Sequence, residues 1–191
     1  MVEADGAVYP VFLKLEGRKV LVVGAGSVAA RKVMSLLESH ATICVVAPKA
    51  NADIEQLARD GRIEWHPRAF EDADVDGAWL VVASTSDPNV QRRIAEAART
   101  RCTFVIAVDD VVNSSAHSGA IVRRSPFTIA ISSSGATPAL TRLVREIIEQ
   151  VLPPEEWIEH AKQLRAKWLA QGKPAGERFG ELVRELAARA R

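Results

Sequence analysis

Apolar positions along the chain fall into two alternating patterns. Short runs rich in Val and Ile recur at Val20–Val23, Thr42–Val46, Ile63–His66, Trp79–Ala83 and Thr103–Val108. Runs of this length and composition predict strands, most of them buried on both faces. Between them the apolar residues take helical spacing: Val28, Val33, Leu36 and Leu37 within Ser27–Leu37, then Ile54, Leu57 and Ala58 within Asn51–Asp60 before Gly61. Val90–Arg101 reads as a further helix. Strand–helix alternation predicts an α/β fold with a Rossmann-type, doubly wound parallel sheet and ligand contacts at the C-terminal ends of its strands. Ahead of it, Val8–Leu15 predicts an edge strand or a cover for the sheet.

Beyond Asp109-Asp110 the pattern changes. Val111–Ser118 is polar and small, and Ala120-Ile121-Val122 and Phe127–Ile131 read as two strands joined by a basic turn. The hydroxyl-rich loop Ser132–Thr137 leads into Ala139–Leu152, an amphipathic helix with Thr137 as its expected cap and Pro138 in its first turn. Pro153-Pro154 ends that helix, and Glu155–Arg191 is helical with a break near Gly172–Gly176. The predicted organisation is residues 1–112 as a nucleotide-binding domain, 113–152 as a small α+β segment and 153–191 as a C-terminal helical domain.

Composition changes this picture only by exclusion. The chain has 191 residues, 48% apolar and 26% charged, as expected of a globular protein. A net charge of +1 gives no reason to expect a nucleic-acid partner. No apolar run approaches a membrane span and the acidic N-terminus lacks a signal-peptide core, so a cytoplasmic protein without membrane contact is expected. Cys44 and Cys102 read as two buried thiols, and no His, Cys or carboxylate cluster has metal-cage spacing, so no metal ligand is assigned.

The candidate chemistry centres on Arg18–Lys32, RKVLVVGAGSVAARK. Strand, Gly-x-Gly-x-x-Ala, helix is the order a dinucleotide-binding turn requires. Gly24 permits the tight turn, Gly26 lets backbone approach a pyrophosphate, and small Ala29 lets helix and strand pack closely. The first helical N–H groups then face the phosphates. The second strand ends in Ala47-Pro48-Lys49 instead of an acidic residue, which leaves NAD and NADP both open, with Lys49 either a phosphate ligand or a solvated charge. Asp109, just past a strand, is either a proton acceptor or metal-facing carboxylate, or a strand-end cap. His117 is of a type more often found on the surface. Arg123, Arg124, Arg142 and Arg145 either bind an anionic substrate or form a solvated basic face.

Several linked motifs resemble those of precorrin-2 dehydrogenases, the siroheme synthase N-terminal module. They are Gly24–Lys32, Val45–Pro48, the Ala83–Asp87 turn, Val108-Asp109-Asp110, Ala120–Arg124 and Ala130–Leu140. The resemblance covers about Tyr9 to Leu152. It implies oxidation of precorrin-2 to sirohydrochlorin with NAD as hydride acceptor and, in some members, Fe2+ insertion at the same site. It also implies a homodimer, with residues 113–152 as the dimerisation segment and the helical domain closing the substrate cleft. It puts the catalytic aspartate on Asp109. Cofactor contacts fall on Gly24, Ala25, Gly26, Ser27 and Val28, around Ala47, Pro48 and Lys49, and on Ser84 and Thr85. Substrate contacts fall on Ser133, with His117 and Arg124 beside it.

The chain departs from the family pattern at Ala116-His117-Ser118-Gly119, where a bulky apolar residue and a proline are usual. It also lacks the methyltransferase domain of the fused enzymes, so a stand-alone dehydrogenase is expected. Two rival functions stay open at this point. One is a metal chelatase of the same fold; the other is a non-catalytic protein that binds NAD or a tetrapyrrole.

Overall fold

The structure is a computed structural model that describes residues 8–189. The outermost expected domain boundaries, residues 1 and 191, lie outside the described residues. The chain divides into two compact units, the first running to Ser118 and the second starting at Gly119.

The first unit holds strands β1 (Lys19–Val23), β2 (Thr42–Val46), β3 (Glu64–His66), β4 (Leu80–Ala83) and β5 (Phe104–Ala107) and helices α1 (Ser27–Leu37), α2 (Ala52–Arg59) and α3 (Pro88–Thr100). The strands form one parallel sheet in the order β3-β2-β1-β4-β5, so the chain reverses its direction of winding beside β1. Alternate residues of β1 feed opposite cores. Val20 and Val22 pack under α1 and α2 with Ile43, Val45, Ile54 and Leu57. Leu21 and Val23 pack under α3 with Val81, Ala83, Ile94 and Val105. Each such fully buried aliphatic side chain contributes about 1.5–3 kcal/mol over leaving it exposed, which explains why the apolar runs read as continuous.

Helix starts follow their sequence signals. Asn51 accepts a hydrogen bond from the Ile54 amide to cap α2. Asp87 accepts from Asn89 and Val90 to cap α3, with Pro88 in the first turn. The crossover from β3 to β4 holds only a short 3-10 turn, Asp72–Val75, where a full helix is usual.

The second unit holds an antiparallel hairpin of β6 (Ala120–Arg124) and β7 (Phe127–Ile131), then helices α4 (Pro138–Val151), α5 (Glu155–Ala170) and α6 (Ala175–Arg189). Gly119 lies hard against the Ile131 backbone, where a Cβ would come within 2.4 Å of the Ile131 carbonyl oxygen. Ile158, Leu164 and Trp168 of α5 are buried, and the Trp168 indole donates to Glu181 of α6.

Three expectations need correction. Residues 8–15 form no strand, and all but Leu15 are exposed: only Leu15 finds apolar partners, in the core under α1 and α2. Cys102 is exposed, not buried, because it occupies the turn into β5 with a φ of 53°. Thr137 makes no side-chain cap to α4; the Ser133 hydroxyl accepts from the Thr137 amide in its place.

Candidate functional site

The C-terminal ends of β1, β4 and β5 bring together most of the residues singled out in the first unit. β1 runs straight into Gly24, whose φ of 106° belongs to glycine. A Cβ on Gly24 would lie 2.2 Å from the Ser84 carbonyl oxygen and 2.7 Å from its carbon, both backbone. Ser84 in turn donates its amide to Val23, so the two loops are stitched across the sheet. Gly26 differs in kind. A Cβ there would meet nothing, and the residue is exposed at the start of α1.

That helix start is receptive to an anion. No side chain caps α1 and no acidic residue lies in its first turn. Ser27 is exposed and Val28 half-buried, while Ala29 is fully buried against the sheet. The Gly24 cradle, the open space at Gly26 and the uncapped amides fit a dinucleotide pyrophosphate. At the end of β2, Ala47 is buried and its carbonyl accepts from the Trp65 indole, while Pro48 and Lys49 are exposed beyond it.

Asp109 follows β5 as an exposed carboxylate in the left-handed region, with a φ of 58°. Residues held there without glycine's freedom store strain of about 1–3 kcal/mol and cluster at functional sites. Its neighbour Asp110 has a different role. It accepts from the Asn113 amide and side chain, contacts that hold its carboxyl below the usual carboxylate range and turn the chain over β5. Sequence position could not separate the two, because either aspartate suits a strand-end turn.

Two residues of this site were not assigned from sequence. Gln91 is a buried polar side chain of α3; its amide donates to the Thr85 carbonyl at 2.9 Å and the Val108 carbonyl at 3.2 Å. It thereby joins the β4 loop to the residue preceding Asp109. Lys32, on the second turn of α1, donates to Ser118 at 2.7 Å. Burial lowers its pKa, Arg31 lowers it further, and the Asp109 carboxylate opposes both. A partly desolvated cation therefore lies within the field of Asp109. The Arg31-Lys32 pair was visible in the motif, but only the helix phase separates the outward Arg31 from the half-buried Lys32.

The remaining candidates have other surroundings. His117 is half-buried in the segment that follows β5. Ser133 and Arg124 belong to the second unit. The Ser133 hydroxyl accepts from the Thr137 amide and the Thr141 hydroxyl. Arg124 donates to the Glu149, Leu152 and Pro153 carbonyls, and so caps the C-terminal end of α4. Arg142 pairs with Glu146 and Arg145 with Glu149 along α4, so these two are intrahelical partners. On the sheet itself, Cys44, Glu64 and His66 place one ligand atom each within 4.8 Å of one another, a cluster that their spacing of 20 and then 2 residues conceals.

Known proteins share this arrangement. Residues 11–120 match the family model described as putative NAD(P)-binding, and residues 124–150 match the one described as sirohaem biosynthesis protein central. The chain is 41% identical over 144 residues to a siroheme synthase of Actinobacillus pleuropneumoniae serotype 7, covering 75% of this chain and 30% of that protein. With siroheme synthase 1 of Cronobacter sakazakii the identity is 44% over 144 residues, covering 75% and 31%. With siroheme synthase 1 of Aeromonas salmonicida it is 39% over 181 residues, covering 94% and 39%. The chain thus spans about a third of the length of these relatives. The solved structure of SirC, precorrin-2 dehydrogenase, superposes with a TM-score of 0.78 at 24% identity, covering 93% of this chain and 88% of that one, which supports the fold. With the Gly24–Ala29 turn at the C-terminal end of its central strand and residues 11–120 matched by that family's model, the protein belongs to the putative NAD(P)-binding family.

Proposed function

We propose that this chain oxidises precorrin-2 to sirohydrochlorin with NAD+ as the acceptor. The observation that carries the reading is the placing of a strained, exposed carboxylate, Asp109, at the same sheet edge as the Gly24–Ala29 cradle, with Gln91 joining their loops. Dehydrogenation removes one hydride and one proton from the tetrapyrrole. NAD+, when bound, supplies the hydride acceptor. The chain's own residues do the rest: the α1 amides hold the pyrophosphate, Ala47–Lys49 flank the adenosine end, Ser84 and Thr85 line the β4 side, and Asp109 accepts the proton. Lys32 supplies a positive field beside that carboxylate and a counter-charge for a polycarboxylate substrate. NAD is the proposed acceptor on the family resemblance, and Lys49 is the one basic residue of the Ala47–Lys49 stretch.

Fe2+ enters this reading as a second substrate, because its insertion displaces ring N–H protons and calls for a proton acceptor at the same place. A homodimer is part of the reading too. α4 buries none of its residues and exposes Leu140, Leu143, Ile147 and Val151 as one stripe, the kind of face a second copy would cover. Ser133 and His117 remain the proposed substrate contacts, and Arg124 acts through the α4 end that it caps. The cytoplasm, which holds the nicotinamide pool, is the proposed location; among the described residues no helix is long and apolar enough to cross a membrane.

The test is an anaerobic absorbance time course of precorrin-2 with the purified chain, with and without NAD+, followed by Fe2+. The sirohydrochlorin spectrum should appear only with NAD+, and Fe2+ should then shift it faster than in protein-free buffer. Absence of both changes, with tetrapyrrole still bound, would replace the enzyme by a binding protein.

A further inference from the structure

β2 and β3 lie in parallel register with Cys44 opposite Glu64 and Val46 opposite His66. Side chains two apart on a strand share a face, so Glu64 and His66 both point to the side on which Cys44 packs against the second core. The Cys44 sulfur, a Glu64 oxygen and a His66 nitrogen all lie within 4.8 Å of one another, and His66 Nε2 is 3.2 Å from Glu64 Oε1. In most doubly wound sheets a crossover helix would cover this face. Here the β3–β4 connection supplies only the Asp72–Val75 turn, and His66 and Glu64 stay partly open, with 37% and 71% of their side chains exposed.

We propose that Cys44, Glu64 and His66 form a site for one thiophilic divalent cation of the zinc class, with solvent completing a tetrahedron. One thiolate, one imidazole and one carboxylate is a donor set suited to zinc, and an ion bound by three side chains with one open position needs access from water. The nearest protein cations do not compete for the site. Lys19 donates to the Asp74 and Asp76 carbonyls, and Arg68 forms a two-pronged pair with the Asp74 carboxylate. The ion would fasten the three-residue edge strand β3 to β2. The site shares no side chain with Asp109 or the Gly24 turn, and the metal-binding readouts below test it without the proposed reaction.

The test uses the full chain, reduced, with Co2+ alone as probe. One equivalent of Co2+ should bind with a thiolate-to-cobalt charge-transfer band in the near ultraviolet, and Zn2+ should displace it. Cys44→Ser should abolish the band and His66→Ala should weaken binding by more than about tenfold, while Cys102→Ser leaves both unchanged. Zn2+ should raise the thermal midpoint of the wild type and of Cys102→Ser. A band that survives Cys44→Ser, disappears in Cys102→Ser, or never forms would overturn the site. Should Cys44→Ser not fold by circular dichroism, maleimide labelling of the wild type decides the matter. Zn2+ should protect Cys44 and leave Cys102 labelling at its original rate; equal labelling of Cys44 with and without Zn2+ would overturn the proposal.

Discussion

Gly24 and Gly26 are two residues apart in one motif, yet the structure separates their duties, and Gly24→Ala against Gly26→Ala measures the separation. At Gly24 the new methyl would meet the Ser84 carbonyl at 2.2 Å and its carbon at 2.7 Å. Neither atom is the far end of a flexible side chain, so the β4 loop must shift. Overpacking of this kind costs about 1–3 kcal/mol. The φ of 106° adds strain of about 1–3 kcal/mol for a residue with a Cβ. The expected loss is therefore about 2–6 kcal/mol, a large part of the 5–15 kcal/mol typical of a domain. With a urea m-value of about 2 kcal/mol/M, the unfolding midpoint should fall by roughly 1–3 M. At Gly26 the methyl meets nothing in the chain, so the midpoint should move by less than about 0.5 M, the cost of a poorer cap. It would instead stand where the pyrophosphate must approach, and NADH affinity, read by fluorescence titration, should fall at least tenfold, or about 1.4 kcal/mol. Equal midpoints for the two variants, or unaltered NADH affinity in Gly26→Ala, would refute the division of roles.

Other outcomes follow from the same geometry. Asp109→Asn should lower the dehydrogenation rate by about 100-fold or more while NADH affinity stays within twofold, since the carboxylate is assigned to proton transfer; stopped-flow absorbance and fluorescence titration read the two separately. Gln91→Leu leaves the Thr85 and Val108 carbonyls without their donor and should cost about 1–3 kcal/mol in urea unfolding, with a lower kcat from the loosened Asp109 loop. Asp74 gives a pH signature. Burial opposes its ionisation, but the Arg68 pair and the Glu71 amide outweigh this and hold its carboxyl low. A depressed carboxyl contributes stability that is complete above the unfolded carboxylate's ordinary pKa of ~3.9 and is lost as pH falls through the folded value. Asp74→Asn should therefore flatten the fall in thermal midpoint below about pH 4. A charge placed in the apolar stripe of α4, Leu143→Glu, should shift light-scattering mass from dimer toward monomer.

Much of the first unit could be read in advance because its strands are buried on both sides and α2 and α3 carry their own caps. β2 and α1 have the bounds their apolar spacing indicates, and Asn51 and Asp87 start α2 and α3 where short polar side chains stand before helical runs. What stayed hidden depends on contacts distant in sequence. Gln91 is polar on an otherwise apolar helix face, and nothing local reveals the two carbonyls it meets. The Cys44 cluster exists only through the β2–β3 register. Val8–Leu15 has the composition of a strand yet pairs with neither outer strand of the sheet, and composition does not report pairing. In the second unit, α4 was legible from its stripe, whereas Arg124 and Ser133 turned out to be occupied at the two ends of that helix.

The Gln91 amide has a thermodynamic corollary. Because one side chain holds both the Thr85 and Val108 carbonyls, the Thr85 loop, proposed to flank the nucleotide, and the loop bearing Asp109 are mechanically coupled. Whatever free energy a bound nucleotide spends in ordering the first loop also orders the second. Linkage is reciprocal, so a ligand that fixes Asp109 must tighten the nucleotide by the same factor. Mutually cooperative binding at the two loops would then arise within the sheet itself, with no lid required to enforce it.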